Sequence, residues 1–253
     1  MSLAIKKVFP RFYKFSKNLT NQIPLKASLW DKKTYNFNLR ICKMLKLWKS
    51  YELKDEADMV YEMYNGGDFI DVGAYSGFYS FLLSTKANDN DNFISCEPDS
   101  VIHSELFDNL SVLKKIFNNI NYSVITHPIN NGKEVAIAHD DWGHPCFQDA
   151  SQIDEKNKSI SKKFRSTTVD NLVSSLSLEP KFIKIDTEGA EFDILEGMQE
   201  TLKKFKPKIM LEKHPTMLPK NISIEFINKM LIDHKYKPNF INKNDLAIRE
   251  VWE

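Results

Sequence analysis

Among the 253 residues there is no run of eighteen apolar positions, so no membrane-crossing helix is expected. The N-terminal stretch MSLAIKKVFPRFYKF has basic residues but no uninterrupted apolar core, so it does not read as a secretory signal. Cysteine is scarce: Cys42, Cys96 and Cys146 are widely spaced and form no CxxC pair. This argues against zinc ligation and against a disulfide framework, and for reduced thiols in a cytoplasmic protein. There is no internal repeat and no low-complexity tract.

Net charge is also nearly absent, at +1, but the balance hides an asymmetry. Residues 1–50 hold twelve Lys or Arg and one acid, Asp31, and so sum to +11; the remaining 23 bases and 33 acids sum to −10. The basic segment also carries aromatics, among them Phe9, Phe12, Trp30 and Trp48. Such a composition suits a membrane surface, an anionic glycan or a nucleic acid. It equally suits an arm packed on the acidic body of its own chain. Pro10 and Pro24 divide residues 1–50 into what read as short helical pieces.

From Tyr51 the pattern changes. A helix is predicted over 54–64, then strands at 68–72, 92–97, 121–126, 133–139, 181–186, 207–212, 235–241 and 246–251. Between them helices are predicted at 77–87, 100–117, 169–177, 190–204 and 222–234. Apolar strands alternating with helices predict an α/β fold, a mostly parallel sheet with helices on both faces. Asn242-Lys243-Asn244-Asp245 is turn chemistry, so the sheet is expected to end in an antiparallel hairpin. The polar stretch 140–165 reads as an irregular loop, long enough to be a substrate lid.

In an open parallel sheet, ligands bind beyond the carboxyl ends of the strands. The stretch FIDVGAYSGF (69–78) brings Asp71, Gly73, Ala74, Tyr75 and Gly77 to such an end. Its D-x-G-x-x-x-G spacing fails the G-x-G-x-x-G test of dinucleotide folds. The next strand, FISCEP, ends in Glu97 and Pro98, 26 residues after Asp71. A carboxylate there suits two neighbouring ribose hydroxyls, because it offers two acceptor oxygens and no donor. After the third strand, Asn130 is a candidate for adenine, although Asn130-Asn131-Gly132 is also turn chemistry.

A second stretch, IKIDTEGAE (183–191), puts Lys184 inside an apolar strand, where an unpaired ammonium is costly. Asp186, two residues on, points to the same face and can pair with it. Glu188 falls in the turn, and Glu191 in the first helical turn, where it complements the helix dipole. The following strand ends in Glu212 and then His214, at the same sheet edge. His144, in the polar loop, is a further histidine candidate. Asp170 reads as a cap for the helix that follows it.

Taken together, DVGAYSGFYS (71–80), CEP (96–98), TVDNL (168–172) and IKIDTEGAE (183–191) resemble the FkbM-type methyltransferases in order and spacing. The resemblance covers about residues 52–215 and leaves 1–50 as a basic, aromatic extension ahead of a methyltransferase domain at 51–253. It implies the class I methyltransferase fold, which is Rossmann-like, and S-adenosylmethionine as methyl donor. The implied reaction is O-methylation of a hydroxyl on a sugar, glycan precursor or other small molecule. On this basis Asp71, Gly73, Ala74, Tyr75, Gly77, Glu97, Pro98 and Asn130 are the expected cofactor residues, and Asp186, His214, Lys184 and Glu188 the expected catalytic group. Asp186 or His214 would take the acceptor's proton. Asp186, Glu188 and Glu212 also have the oxygen chemistry of a Mg²⁺ site, so metal-free and Mg²⁺-assisted chemistry both stand. The competing classes are a nucleoside-binding module without chemistry and a nicotinamide-dependent oxidoreductase. The expected location is cytoplasmic, with residues 1–50 as a peripheral membrane contact. A nucleic-acid substrate is favoured by the +11 segment alone.

Overall fold

The computed structural model describes residues 19, 20, 22–139, 145–149, 163–219, 221–244 and 247–253. His144 and residues 1–18 lie outside them, as does most of the 140–165 stretch.

The described chain opens with an antiparallel hairpin, β1 (Pro24–Ser28) and β2 (Thr34–Asn38), then α1 (Leu39–Trp48) and α2 (Tyr51–Met63). The first alternating units are β3 (Asp68–Val72), α3 (Phe78–Leu83), β4 (Asn92–Cys96), α4 (Ser100–Ile116) and β5 (Asn121–Ile125). A small excursion follows: β6 (Glu134–His139), β7 (Pro145–Asp149) and β8 (Lys163–Arg165). The chain continues through α5 (Val169–Ser175), β9 (Pro180–Ile185), α6 (Glu191–Glu196), α7 (Gln199–Phe205) and β10 (Lys208–Lys213). It closes with α8 (Ile224–Asp233), β11 (Pro238–Lys243) and β12 (Ile248–Trp252). No helix among the described residues is long and apolar enough to cross a membrane.

Seven strands form the central sheet in the order β11-β12-β10-β9-β3-β4-β5. The pairs from β10 through β5 are parallel, and β12 runs antiparallel between β10 and β11. The C-terminal hairpin is therefore present, with its second strand inserted into the sheet rather than added at its edge. Alternation along each strand feeds two cores. Phe69, Phe93 and Phe182 face one side with Tyr64, and Ile70, Ile94, Ile183 and Ile185 face the other. Register places Phe69 beside both Phe93 and Phe182, and their rings meet at 5.3 and 6.2 Å. Each fully buried ring of this kind contributes roughly 1.5–3 kcal/mol.

Three local expectations are corrected. Residues 24–38 are a hairpin rather than helical pieces; Leu29 and Phe37 plug it into the main core, with Ile41 and Leu45 of α1 beside them. Arg40 adds an ion pair to Glu105 of α4 at 3.3 Å. The strand at 134–139 leaves the central sheet and pairs instead with β7 and β8, which lie inside the stretch read as irregular. Asp170 does not cap its own helix: Thr168 does, and Asp170 accepts from the backbone N–H groups of Glu200 and Thr201 at the start of α7.

Candidate functional site

A cavity of about 330 Å³ opens at the carboxyl ends of β3, β4 and β9. That is a volume suited to a small molecule. Its lining comes from Trp48 of α1, Val72, Gly73 and Tyr75 at the end of β3, Cys96 to Asp99 at the end of β4 with Ile102 of α4, Pro128 and Ile129 after β5, and Asp186 to Glu188 with Ala190 after β9.

The turn after β3 is built on Gly73. Its φ is +83°, and a Cβ added there would lie 1.8 Å from the carbonyl oxygen of Asp186. Only glycine lets the β3 and β9 ends approach this closely. Gly73 and Ala74 N–H groups both donate to the Cys96 carbonyl, which ties the turn to β4. Tyr75 has a positive φ of 47°, and its N–H donates to Glu97 Oε2 at 2.9 Å.

Glu97 is 7% exposed and lines the cavity. Its other oxygen accepts from the Asp99 N–H at 2.8 Å. Each carboxylate oxygen has two acceptor positions, so capacity remains for ligand hydroxyls. Burial pushes the Glu97 carboxyl up to about 7, against the pull of the two backbone N–H groups. Ile102, Pro128 and Ile129 supply an apolar wall on this side. Trp48 closes the cavity from α1 and lies flat on Phe78 with ring centroids 3.9 Å apart. A nucleoside fits this combination: hydroxyl acceptors at Glu97 and an apolar wall for a base.

Across β3 the chemistry changes. Register sets Asp71 directly beside Lys184, and both are buried. Lys184 Nζ lies 3.4 Å from Asp71 Oδ1 and 3.4 Å from Asp186 Oδ2, and it donates to the Gly73 carbonyl at 2.6 Å. Burial works against the ammonium, but the Asp186 and Asp71 carboxylates outweigh it and hold its pKa above the ordinary value. Burial raises the Asp71, Asp186 and Glu188 carboxyls, with Lys184 opposing it at both aspartates and His214 opposing it at Glu188.

His214 stands at the centre of four acids. Its Nδ1–H donates to Glu191 Oε1 at 3.0 Å, and Nε2 lies 3.4 Å from Glu188, 3.5 Å from Glu212 and 3.9 Å from Asp186. Burial disfavours its charge, yet Glu191 and Glu212 prevail and push its pKa up to about 11. The carboxylates around it thus favour the protonated ring.

Glu212 is itself bound by Arg249 of β12, which also reaches Glu56 of α2 at 3.1 Å. Glu56 is buried, and burial pushes it up to about 7 against the hydrogen bond that it accepts from the Tyr79 hydroxyl.

The structure thus brings Gly73, Tyr75, Glu97, Pro98, Asp186 and Glu188 together around one cavity. Asp71 and Lys184 lie behind it and hold it by charge. Ala74 and Gly77 shape the turn without lining the cavity; Gly77 is the left-handed cap of α3. Asn130 is 1% exposed, and its side chain is engaged by the Asn131 N–H and by Asp193 at 3.5 Å, so it holds the turn while Pro128 and Ile129 face the cavity. Sequence reasoning missed Trp48, Arg249 and Glu56. Arg249 is set opposite Glu212 by the antiparallel register of β10 and β12, a pairing between strands distant in the chain.

The family described as "Methyltransferase FkbM domain" matches residues 71–238. Among solved structures, the chain is similar to the methyltransferase FkbM from Methylobacillus flagellatus KT, with a TM-score of 0.51 and 15% identity. That match covers 75% of this chain and 44% of the other, so this chain spans less than half the length of the Methylobacillus protein. Fibrillarin from Aeropyrum pernix, in complex with natively bound S-adenosyl-L-methionine, matches with a TM-score of 0.48 at 11% identity, over 92% of this chain and 83% of that one. Precorrin-6y C5,15-methyltransferase from Geobacter metallireducens GS-15 matches with a TM-score of 0.43 at 14% identity, over 80% and 86%. No curated protein matches the chain. With the family match spanning most of the sequence, the chain belongs to the FkbM methyltransferase family, and its seven-stranded sheet has the class I methyltransferase fold.

Proposed function

We propose that the protein methylates a hydroxyl oxygen of a sugar, a glycan precursor or a similar polar small molecule. The observation that carries this reading is the placement of Asp186 and Glu188 in the same cavity as Glu97, on the opposite side of β3. Carboxylates accept hydrogen bonds from hydroxyl groups. They also repel phosphate, which argues against a nucleic-acid substrate at this end.

When bound, S-adenosylmethionine supplies a methyl group on a sulfonium, which becomes a thioether as the acceptor oxygen takes the methyl carbon and gives up its proton. Glu97 would hold the ribose hydroxyls, and Ile102, Pro128 and Ile129 would cover the base. Lys184 grips Asp186 and the Gly73 carbonyl together, so the cofactor turn and the acid are set by one buried cation. Asp186 receives the acceptor's proton; its raised pKa makes it a stronger base than a free aspartate. Positioning of this kind supplies about 7–11 kcal/mol in good cases, and a base adds roughly 10²–10⁴-fold.

The test is transfer from S-adenosylmethionine carrying a labelled methyl group to a panel of sugars and glycan precursors, with the products read by mass spectrometry. The label is expected on a hydroxyl oxygen. Asp186→Asn is expected to lower turnover by about 10²-fold with little change in S-adenosylhomocysteine affinity. Label on nitrogen or carbon, or near wild-type turnover in that variant, would contradict the proposal.

A further inference from the structure

We propose that Asp186, Glu212 and His214 form a site for one divalent first-row transition ion of the Mn²⁺, Co²⁺ and Zn²⁺ class. The site's use rests on the reading above, since an ion there would bind and acidify the hydroxyl brought to Asp186.

One ligand atom from each of the three residues lies within 4.8 Å of the other two. They come from adjacent strand ends, Asp186 just past β9 and the pair Glu212 and His214 at the end of β10. Positions two apart in an extended strand share a face, which sends Glu212 and His214 the same way.

The ring is already oriented for a ligand. Its Nδ1–H is committed to Glu191, a residue with no exposed surface, which leaves Nε2 toward the acids. A metal-bound histidine is held in the same way, with its second nitrogen donating to a carboxylate. His214 is 5% exposed, and among the described residues Nε2 comes no closer than 3.4 Å to a carboxylate oxygen, with Glu188, Glu212 and Asp186 at 3.4, 3.5 and 3.9 Å. Two donors that share one ion at roughly 2.0–2.2 Å stand roughly 3.0–3.5 Å apart, so Nε2 and Glu212 are already near that separation.

Charge gives an independent argument. Among the described residues, six carboxyl groups (Glu56, Asp71, Asp186, Glu188, Glu191, Glu212) meet three cationic side chains (Lys184, His214, Arg249) in one contact network. The second oxygen of Glu191 is buried without a hydrogen-bond partner among the described residues. A divalent ion, taking the place of the Nε2 proton, relieves that excess. An imidazole nitrogen beside two carboxylate oxygens selects Mn²⁺, Co²⁺ or Zn²⁺ over Mg²⁺, which prefers oxygen throughout. This differs from the oxygen-only set Asp186, Glu188 and Glu212 expected from the sequence; Glu188 is not among the three.

The test uses the full chain, stripped with a chelator and titrated with Mn²⁺ in the absence of methyl donor and acceptor, with free Mn²⁺ followed by its electron paramagnetic resonance signal. One ion per chain with micromolar affinity is expected, together with spin-echo modulation from one imidazole ¹⁴N. Asp186→Asn and Glu212→Gln should each weaken binding by at least about tenfold. No binding at millimolar Mn²⁺, no ¹⁴N modulation in the wild type, or unchanged affinity in both variants would overturn the site. The modulation needs no variant and so survives a folding failure. Because no cofactor is present, a negative result leaves the methyltransferase reading untouched, and a failure of S-adenosylhomocysteine to bind would leave this one untouched.

Discussion

On one side of β3 the acid of the cavity, Glu97, is held by backbone N–H groups; on the other, Asp186 is held by buried charges. The first arrangement depends on where the chain runs. The second depends on Lys184, His214 and Arg249 balancing a larger set of carboxyl groups. Amide-held acids tolerate neutral replacement, because no partner is left as an unpaired charge. Charge-held acids do not, because removing one ion strands another in a medium that solvates it poorly. The nucleoside side should therefore be thermodynamically quiet, and the acceptor side brittle.

The largest effect that would break this contrast is on Lys184. Lys184→Met leaves Asp71 buried beside no cation and frees the Gly73 carbonyl, so a loss of about 3–5 kcal/mol in urea unfolding is expected. A loss under about 1 kcal/mol would mean that the two sides are held alike. Glu97→Gln should behave oppositely, with unfolding stability no more than about 1 kcal/mol below wild type and S-adenosylhomocysteine affinity weaker by about tenfold.

The smallest effect is in pH. With its pKa at about 7, Glu97 takes a proton as pH falls through neutrality, so ligand affinity should be full above pH 7 and weaken below it. The limit is about tenfold per pH unit. The sign for stability is the reverse of an ion-paired acid. The folded carboxyl binds its proton more tightly than its ordinary 4.5, so this group's contribution to stability falls as pH rises from 4.5 to about 7. In Glu97→Gln both dependences should flatten, and calorimetric titrations at several pH values would show it.

The parts of the fold legible in the sequence are those whose cause is local. β3, β4, β9 and β10 are short, largely apolar strands with a carboxylate within or just beyond their carboxyl ends (Asp71, Glu97, Asp186 and Glu212), and the turn at Gly73 needs a residue free to adopt positive φ. The helix expected over 190–204 divides at Gly197 and Met198, where Gly197 packs against the Asn130 carbonyl, a tertiary contact that no periodicity carries. The hairpin at 24–38 was obscured because only Leu29 and Phe37 of it are buried, too few to mark an alternating strand. β6 has the composition of a sheet strand, but its partners β7 and β8 come from a polar stretch.

In the site, Asp186 and Lys184 were legible because they sit two apart in one strand. The acid ring around His214 was not, since Glu188 and Glu191 reach it from the β9 side of the sheet and Glu212 from β10. Trp48 was read as part of an arm, and only the packing of α1 on α3 brings it over the cavity.

The most direct test of the central claim, that this cavity is the nucleoside-cofactor site, is calorimetric titration of the full chain with S-adenosylhomocysteine at pH 8. One site per chain with micromolar affinity is expected, weakened by Glu97→Gln. No heat of binding, or binding indifferent to Glu97, would contradict it.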